Sequence, residues 1–81
     1  MDSSVIRQCI LAKLQARGPN NTISPAEVAQ DLVGERWRSL IERVRQIGIE
    51  LANAGIIQVL QEGQVVDPRT ARGSIRYGLK P

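Results

Sequence analysis

The sequence predicts an α+β fold of one domain, residues 1–81, in which three helices precede a two-stranded β-hairpin. Three observations support this prediction. Apolar residues recur at helical spacing through the first two thirds of the chain, helix caps divide that part into three segments, and the apolar period changes to strand-like alternation after Gly55. Because 81 residues suffice for only one small core, we expect no separate effector domain.

The first helix is predicted over residues 4–17. Ser3 or Ser4 is a suitable N-cap, and Gly18 followed by Pro19 is typical of a helix end. The predicted apolar face consists of Val5, Ile6, Cys9, Ile10 and Leu14. Because the chain has a single cysteine and no histidine, we interpret Cys9 as a small buried hydrophobe, with a reactive thiol as the alternative.

The second helix has the strongest start signal in the sequence. Ser24 is predicted as its N-cap, Pro25 as its first residue, and Glu27 as the residue that completes a capping box. Gly34 is its predicted end. The segment Thr22–Ile23, just before the cap, is predicted as a possible very short strand.

The third and longest helix is predicted over residues 35–54, because apolar residues repeat there at intervals of three and four. The predicted buried face consists of Trp37, Leu40, Ile41, Val44, Ile47, Gly48 and Leu51. A glycine at a buried helical position costs about 1 kcal/mol of helix propensity. We therefore expect another backbone segment to pass close to Gly48.

Two strands are predicted in the segments IIQVLQ and SIRYGLK, joined by a long loop rich in turn residues. Their predicted inward positions are Ile57, Val59, Ile75, Tyr77 and Leu79. Within the loop, Asp67 before Pro68 is typical of an Asx-type turn. A ligand role for Asp67 is the alternative, although neighbouring oxygen ligands are not evident in the sequence.

Three helices followed by a hairpin match a winged helix-turn-helix. In this fold the third helix enters the major groove and the loop between the strands forms the wing, here residues 61–73.

The sequence also resembles a bacterial family, the domain of unknown function 3253, over residues 5–79. The segments that carry the resemblance are ISPAEVA, WRSLIERVR, LANAGII and VVDPRTARGSIR. This resemblance implies a winged-helix domain and implies no activity. The positions that match the family pattern are Ser24, Pro25, Val28, Ala29, Trp37, Arg38, Val44, Arg45, Val66, Asp67, Pro68, Gly73, Ile75 and Arg76.

The positive charge of the chain is concentrated in two segments. Residues 36–45 carry a net charge of +3 and residues 68–81 a net charge of +4, whereas the whole chain carries +3. If the fold places helix three beside the wing, the two segments form one positive surface, which is typical of nucleic-acid binding. Nine of the eleven basic residues are arginine, which suits bidentate contacts with phosphate.

The candidate DNA-binding residues are Arg36, Arg38, Ser39, Arg43, Gln46, Arg69 and Arg72. Four of the arginines, Arg36, Arg43, Arg69 and Arg72, would bind the phosphate backbone, while Ser39 and Gln46 could reach base edges. A structural role is the alternative, favoured for Arg38 and Arg45, because arginines beside a buried face cover apolar surface and pair with acids. Glu42 lies within the proposed reading face, where a carboxylate repels phosphate unless it accepts from a cytosine amino group.

Other classes of function are disfavoured by composition. The absence of histidine and the scattered carboxylates predict no enzyme activity, no metal site and no cofactor. No apolar segment is long enough to span a membrane, and the first residues lack a secretory pattern, so we expect a cytoplasmic protein.

The function predicted from the sequence is that of a small DNA-binding protein. The alternatives are a protein-interaction module, which could include self-association, and an RNA-binding protein.

Overall fold

A computed structural model describes residues 1–81 and contains three α-helices, one 3₁₀ segment and a four-stranded antiparallel sheet. The elements in chain order are α1 Ser3–Arg17, β1 Thr22–Ile23, α2 Pro25–Val33, the 3₁₀ segment Gly34–Ser39, α3 Ile41–Asn53, β2 Ile57–Gln61, β3 Gln64–Val66 and β4 Arg76–Leu79. The α+β class and the short strand β1 are as predicted, and the arrangement is compatible with a winged helix. None of the helices combines the length and apolar character needed to cross a membrane.

The first two helices begin and end through local signals. In α2, the Ser24 side chain accepts from the backbone N–H of Glu27, and the Glu27 carboxylate accepts in return from Ser24, which confirms the predicted capping box. In α1 the N-cap is Asp2 rather than Ser3 or Ser4, because its carboxylate accepts from the Ser4 N–H at 3.0 Å. Val5, predicted on the buried face of α1, is 43% exposed.

The third predicted helix, residues 35–54, is divided in the structure. Residues 34–39 form a 3₁₀ segment with non-helical dihedral angles at Arg36, and α3 begins only at Ile41. Neither Val33 nor Leu40, which precede the two segments, makes a side-chain capping hydrogen bond, so no local signal starts an α-helix at residue 35. Trp37, predicted in the core, is half-buried and packs against the core's edge.

The sheet differs from the predicted two-stranded hairpin because the segment expected to be a loop contains a further strand, β3. Strand order is β1-β4-β2-β3, so β4 lies between β1 and β2. Strands β2 and β3 are joined by a tight turn at Glu62 and Gly63, whose φ angles are 50° and 81°. Positive φ at both central residues is the requirement of a type I′ turn, which Gly63 meets without strain.

One contiguous core joins the helices to the inner face of the sheet. The buried apolar residues are Ile6, Ile10, Leu14, Ile23, Val28, Ala29, Leu40, Val44, Ile47, Leu51, Ile57, Val59, Ile75 and Tyr77. Four of the five predicted inward strand positions belong to this core, and the fifth, Leu79, is partly buried against it.

Tyr77 explains the glycine at position 48. A Cβ atom on Gly48 would lie 2.3 Å from Cζ of Tyr77, so the ring fills the space that a side chain would need. The expected neighbour of Gly48 was a backbone segment, and the structure corrects it to an aromatic ring. The Tyr77 hydroxyl donates to the carbonyl oxygen of Val44 at 3.3 Å, and burial raises the pKa of this hydroxyl. Tyr77 thus holds β4 against α3.

Candidate nucleic-acid interface

The two basic segments are joined by a direct hydrogen bond between α3 and the loop of residues 67–75, which we call the wing loop. Arg45, in the first half of α3, donates from Nη1 to the carbonyl oxygen of Gly73 at 3.0 Å. The Tyr77 hydroxyl also lies 3.5 Å from the carbonyl oxygen of Arg45. The start of α3 therefore lies beside the end of the wing loop, the juxtaposition on which the sequence-based hypothesis depends.

Three adjoining concavities cross this junction. One, of about 570 Å³, lies between the end of β2 and residues 72–76. The second, of about 320 Å³, lies between the start of α2, the start of α3 and residues 74–76, and it shares Ser74 and Arg76 with the first. The third, of about 390 Å³, lies along the exposed face of α3 and shares Arg45 with the second. The concavities thus form a continuous surface from the wing loop to α3.

Positive charge is not evenly distributed along this surface. The first concavity is lined by two arginines and one glutamate, and the second by two arginines and no acid. The third is lined by Arg43, Arg45, Glu42 and Glu50, so its charges cancel. The excess positive charge therefore lies at the wing-loop end of the surface, and the exposed face of α3 is close to neutral.

Two of the candidate arginines are held by other groups of the protein. Arg43 donates to the hydroxyl of Ser3 at 3.0 Å and to the carbonyl oxygen of Met1, so its guanidinium joins α3 to the start of α1. Arg69 pairs with Asp67, with Nε 3.3 Å from Oδ1, although its side chain is 74% exposed. Both groups would have to exchange an existing partner in order to bind phosphate.

Asp67 forms the predicted Asx-type turn. Its Oδ1 atom accepts from the backbone N–H of Arg69 at 2.9 Å. That hydrogen bond, followed by the side-chain hydrogen bond and the charge of Arg69, lowers the pKa of the Asp67 carboxyl. No group of three or more acidic or cysteine side chains is arranged to hold a metal ion.

The candidates in residues 36–39 lie on the 3₁₀ segment rather than on the helix where they were predicted. The guanidinium of Arg38 lies 4.4 Å from the ring centroid of Trp37, a cation–π arrangement. Ser39 donates from its hydroxyl to the carbonyl oxygen of Arg36 at 2.7 Å, so this hydroxyl closes a turn. The side chain of Arg36 is exposed and makes no hydrogen bond or ion pair.

The two remaining candidates, Gln46 and Arg72, are exposed and have free side chains. Gln46 lines the third concavity, one helical turn from Glu42 and one from Glu50. Arg72 lines the first concavity with no ion pair. Of the seven candidates, the structure therefore brings Arg72 closest to the excess of positive charge and leaves Gln46 between carboxylates.

An ion-pair cluster around Glu27 escaped the sequence-based reasoning. Arg17 donates to one carboxylate oxygen of Glu27, and Arg76 lies 3.3 Å from the other. Both arginines also donate to the carbonyl oxygen of Thr22, at 3.1 Å and 3.2 Å. Burial opposes the ionisation of Glu27, but the hydrogen bonds from Arg17 and Ser24 and the charges of both arginines outweigh it and lower the pKa of the carboxyl.

Cys9 is half-buried against the core. Burial, with a smaller contribution from the charge of Asp31, raises the pKa of its thiol. A raised pKa reduces the thiolate fraction at neutral pH, which accords with the interpretation of Cys9 as a packing residue.

The fold and this surface define a small α+β domain in which a basic wing loop is hydrogen-bonded to the third helix. A family model described as a protein of unknown function (DUF3253) matches residues 3–80, and the chain belongs to this family. The match confirms the resemblance identified from the sequence motifs. A search of curated proteins gives no match to the chain.

Proposed function

We propose that the chain binds nucleic acid, with duplex DNA as the expected partner, through the start of α3 and the wing loop. The observation that carries the proposal is the 3.0 Å hydrogen bond from Arg45 to Gly73, which joins the two basic segments. Adjacent positive segments attract a polyanion more strongly than separate ones, because their fields add over a shared surface.

The proposed mode of binding is that of a winged helix-turn-helix, with the start of α3 directed into the major groove and the wing loop on the flanking backbone. Two features support the start of α3 over its middle. Arg36 and Arg38 immediately precede the helix, and Arg45 lies within its second turn. Glu42 also lies in the first turn, but the arginines there outnumber it, whereas Glu50 lies farther along the helix, where its carboxylate would repel phosphate.

Fluorescence anisotropy of labelled random duplex DNA over a salt series tests the proposal. If about four phosphates are neutralised, the slope of log K against log salt concentration is expected to be roughly −3.6. Arg45→Ala should weaken binding and flatten the slope by about one unit, because Arg45 has a single hydrogen bond, from Nη1, and its Nη2 and Nε atoms stay free for phosphate, whereas both Nη atoms of Arg43 are bonded.

The matched control is Arg7→Ala, which removes the same charge from an exposed position of α1 outside all three concavities. Its slope should equal that of the unaltered protein. Absence of binding at about 50 mM salt, or an equal effect of both substitutions, would contradict the proposal.

We propose that the chain is a cytoplasmic binding module rather than an enzyme. The proposed binding depends on contacts between guanidinium groups and phosphate. Duplex RNA and single strands carry the same phosphate groups as duplex DNA. Competition of the labelled duplex by unlabelled RNA of equal length therefore identifies the preferred nucleic acid. Fractionation of cells that express the natural protein checks its location.

A protein-interaction module is the second candidate, favoured by the edge of the sheet. Strand β3 pairs only with β2, so its other edge is open, and Val65 on this strand is 63% exposed. Open edges with apolar side chains are templates for strand addition. Sedimentation at several concentrations tests self-association, and Val65→Lys should abolish any association that uses this edge.

A further inference from the structure

The largest concavity of the molecule lies next to the wing loop and is lined almost entirely by polar side chains. Its lining consists of Leu60, Gln61, Glu62, Arg72, Ser74 and Arg76. With two guanidinium groups and one carboxylate, the lining carries a net positive charge. Its volume of about 570 Å³ is within the range of small-ligand sites in proteins, roughly 300–1,000 Å³.

Gln61 holds one wall of this concavity in position. Its side-chain amide donates to the carbonyl oxygen of Arg72, and also lies 3.3 Å from the carbonyl oxygen of Ser74. Gln61 is the last residue of β2, so this amide ties the wing loop to the sheet. The side chains of Arg72 and Ser74 are therefore attached to backbone that is held at two points.

Several donors in the concavity have no partner within the protein. The guanidinium of Arg72 and the hydroxyl of Ser74 make no hydrogen bond, and both residues are exposed. Arg76 uses Nε and Nη2 to bind Thr22 and Glu27, which leaves Nη1 free. The site thus offers the whole guanidinium of Arg72, the Nη1 atom of Arg76 and the hydroxyl of Ser74.

We propose that this concavity is a phosphate-binding site, in which Arg72 and Arg76 bind the phosphate oxygens, Ser74 donates a further hydrogen bond and Gln61 is a positioning residue. A free planar guanidinium such as that of Arg72 binds phosphate in a bidentate manner, which favours this ligand over a single halide or a neutral group. No aromatic residue lines the concavity, so the site lacks a stacking surface for a base. The contact is therefore independent of nucleotide sequence.

The phosphate can come from a nucleic-acid backbone or from a small phosphorylated molecule. A nucleic-acid backbone as the source of the phosphate rests on the proposed function, whereas the binding of phosphate at this site does not. Inorganic phosphate and a random DNA duplex are therefore used as separate probes of the same site.

The first measurement follows the backbone amides and the arginine Nε–H groups by NMR during titration with inorganic phosphate at constant ionic strength. Saturable shifts are expected at Arg72, Ser74 and Arg76, and Arg72→Ala should weaken the apparent affinity at least several-fold. Arg69→Ala is the matched control, because Arg69 is an exposed arginine of the same loop outside the concavity. Glu62→Gln should strengthen binding, because it removes the only carboxylate in the lining.

The second measurement repeats the comparison with the DNA duplex. Arg72→Ala should flatten the salt slope by about one unit, and Arg69→Ala should change it less. If phosphate binds at Arg72 while DNA does not bind, the site stands and the proposed function fails. If DNA binds but the two substitutions have equal effects, the nucleic-acid backbone is overturned as the source of the phosphate and the proposed function stands. Absence of phosphate-dependent shifts at Arg72 and Ser74 also overturns the site.

A double-mutant cycle tests the positioning role of Gln61. If Gln61 acts by orienting Arg72, the loss of affinity caused by Arg72→Ala should be smaller in the Gln61→Ala background. Gln61→Ala alone should weaken binding and flatten the salt slope by less than Arg72→Ala does, because the charge of Arg72 remains but is less well placed. If the fold-losses of affinity of the two single variants simply multiply in the double variant, Gln61 does not act through Arg72, and that assignment is overturned.

Discussion

The exposed face of α3 and the wing loop are both rich in charged residues, but they differ in how much of their positive charge is available. On α3, Arg43 is hydrogen-bonded to the start of α1, and Glu42 and Glu50 lie on the same face. In the wing loop, Arg72 has no partner, and its concavity carries a net positive charge. The comparison shows that the number of arginines in a segment does not measure its capacity to bind phosphate, because intramolecular partners occupy some of them.

The contact that supports both regions is the packing of Tyr77 against Gly48, and its disruption is expected to have the largest effect. Gly48→Ala would place a Cβ atom 2.3 Å from Cζ of the buried ring. Overpacking of this kind typically costs about 1–3 kcal/mol, which exceeds the gain of about 1 kcal/mol in helix propensity. Urea unfolding should therefore show a clear loss of stability.

Tyr77→Leu provides the control for this prediction. In that background the ring is absent, so Gly48→Ala should cost much less free energy of unfolding than in the unaltered protein. Equal losses in the two backgrounds would show that Tyr77 is not the cause, and that another contact at Gly48 opposes the added side chain.

The Glu27 cluster tests whether an arginine that is paired within the protein contributes mainly to the stability of the fold. Glu27→Gln keeps an oxygen that can accept from Ser24 but removes the charge shared by Arg17 and Arg76, for an expected loss of roughly 1–2 kcal/mol at pH 7. Because the pKa of Glu27 in the folded state is below its ordinary value of 4.5, its contribution is present above that pH and is lost as the pH falls through the lowered pKa.

Urea unfolding of both proteins between pH 7 and pH 3 measures this contribution. The difference in free energy of unfolding between the natural protein and Glu27→Gln should shrink as the pH falls below about 4.5. A difference that stays constant with pH would mean that the charge of Glu27 does not stabilise the fold. Subtraction of the two curves removes the contributions of Asp2 and Asp67, whose pKa values are also lowered.

The smallest expected effects come from two arginines that differ in whether they have a partner. Arg43→Ala should lower the free energy of unfolding by about 1 kcal/mol, because it loses hydrogen bonds to Ser3 and Met1, and should barely change the salt slope of DNA binding. Arg36→Ala, at an exposed position without a partner, should leave stability unchanged and flatten the slope by up to about one unit. The reverse pattern in these two assays would overturn the distinction between paired and free arginines.

The elements that were predicted well depend on contacts between residues close in the chain. The capping box of Ser24 and Glu27, the helix end at Gly18 and the Asx-type turn at Asp67 each join residues at most four positions apart. Their geometry follows from the identity of those residues, so no distant part of the chain has to be known. The alternating pattern likewise predicted that Val59 and Tyr77 are buried.

The errors arose where local signals were weak or opposed by packing. Residues 34–40 have the apolar spacing of a helix but no capping residue, and the chain forms a 3₁₀ segment there. The strand β3 was missed because its turn, Glu62–Gly63, lacks the usual Asn-Gly or Asp-Gly pair. In the candidate site, the sequence correctly indicated two basic segments, but it could not indicate which arginines have partners.

The sequence by itself determined the α+β class, the end of α1, the bounds of α2, most of the core and the family, because caps, turn residues and apolar periods act over a few residues. Only the tertiary structure decided which nitrogen atoms of the guanidinium groups are free. The partners that occupy Arg43, Arg45 and Arg76 lie up to 42, 28 and 54 positions away in the chain. Pairing over such distances depends on how the elements pack, and packing is the property that no short stretch of sequence encodes.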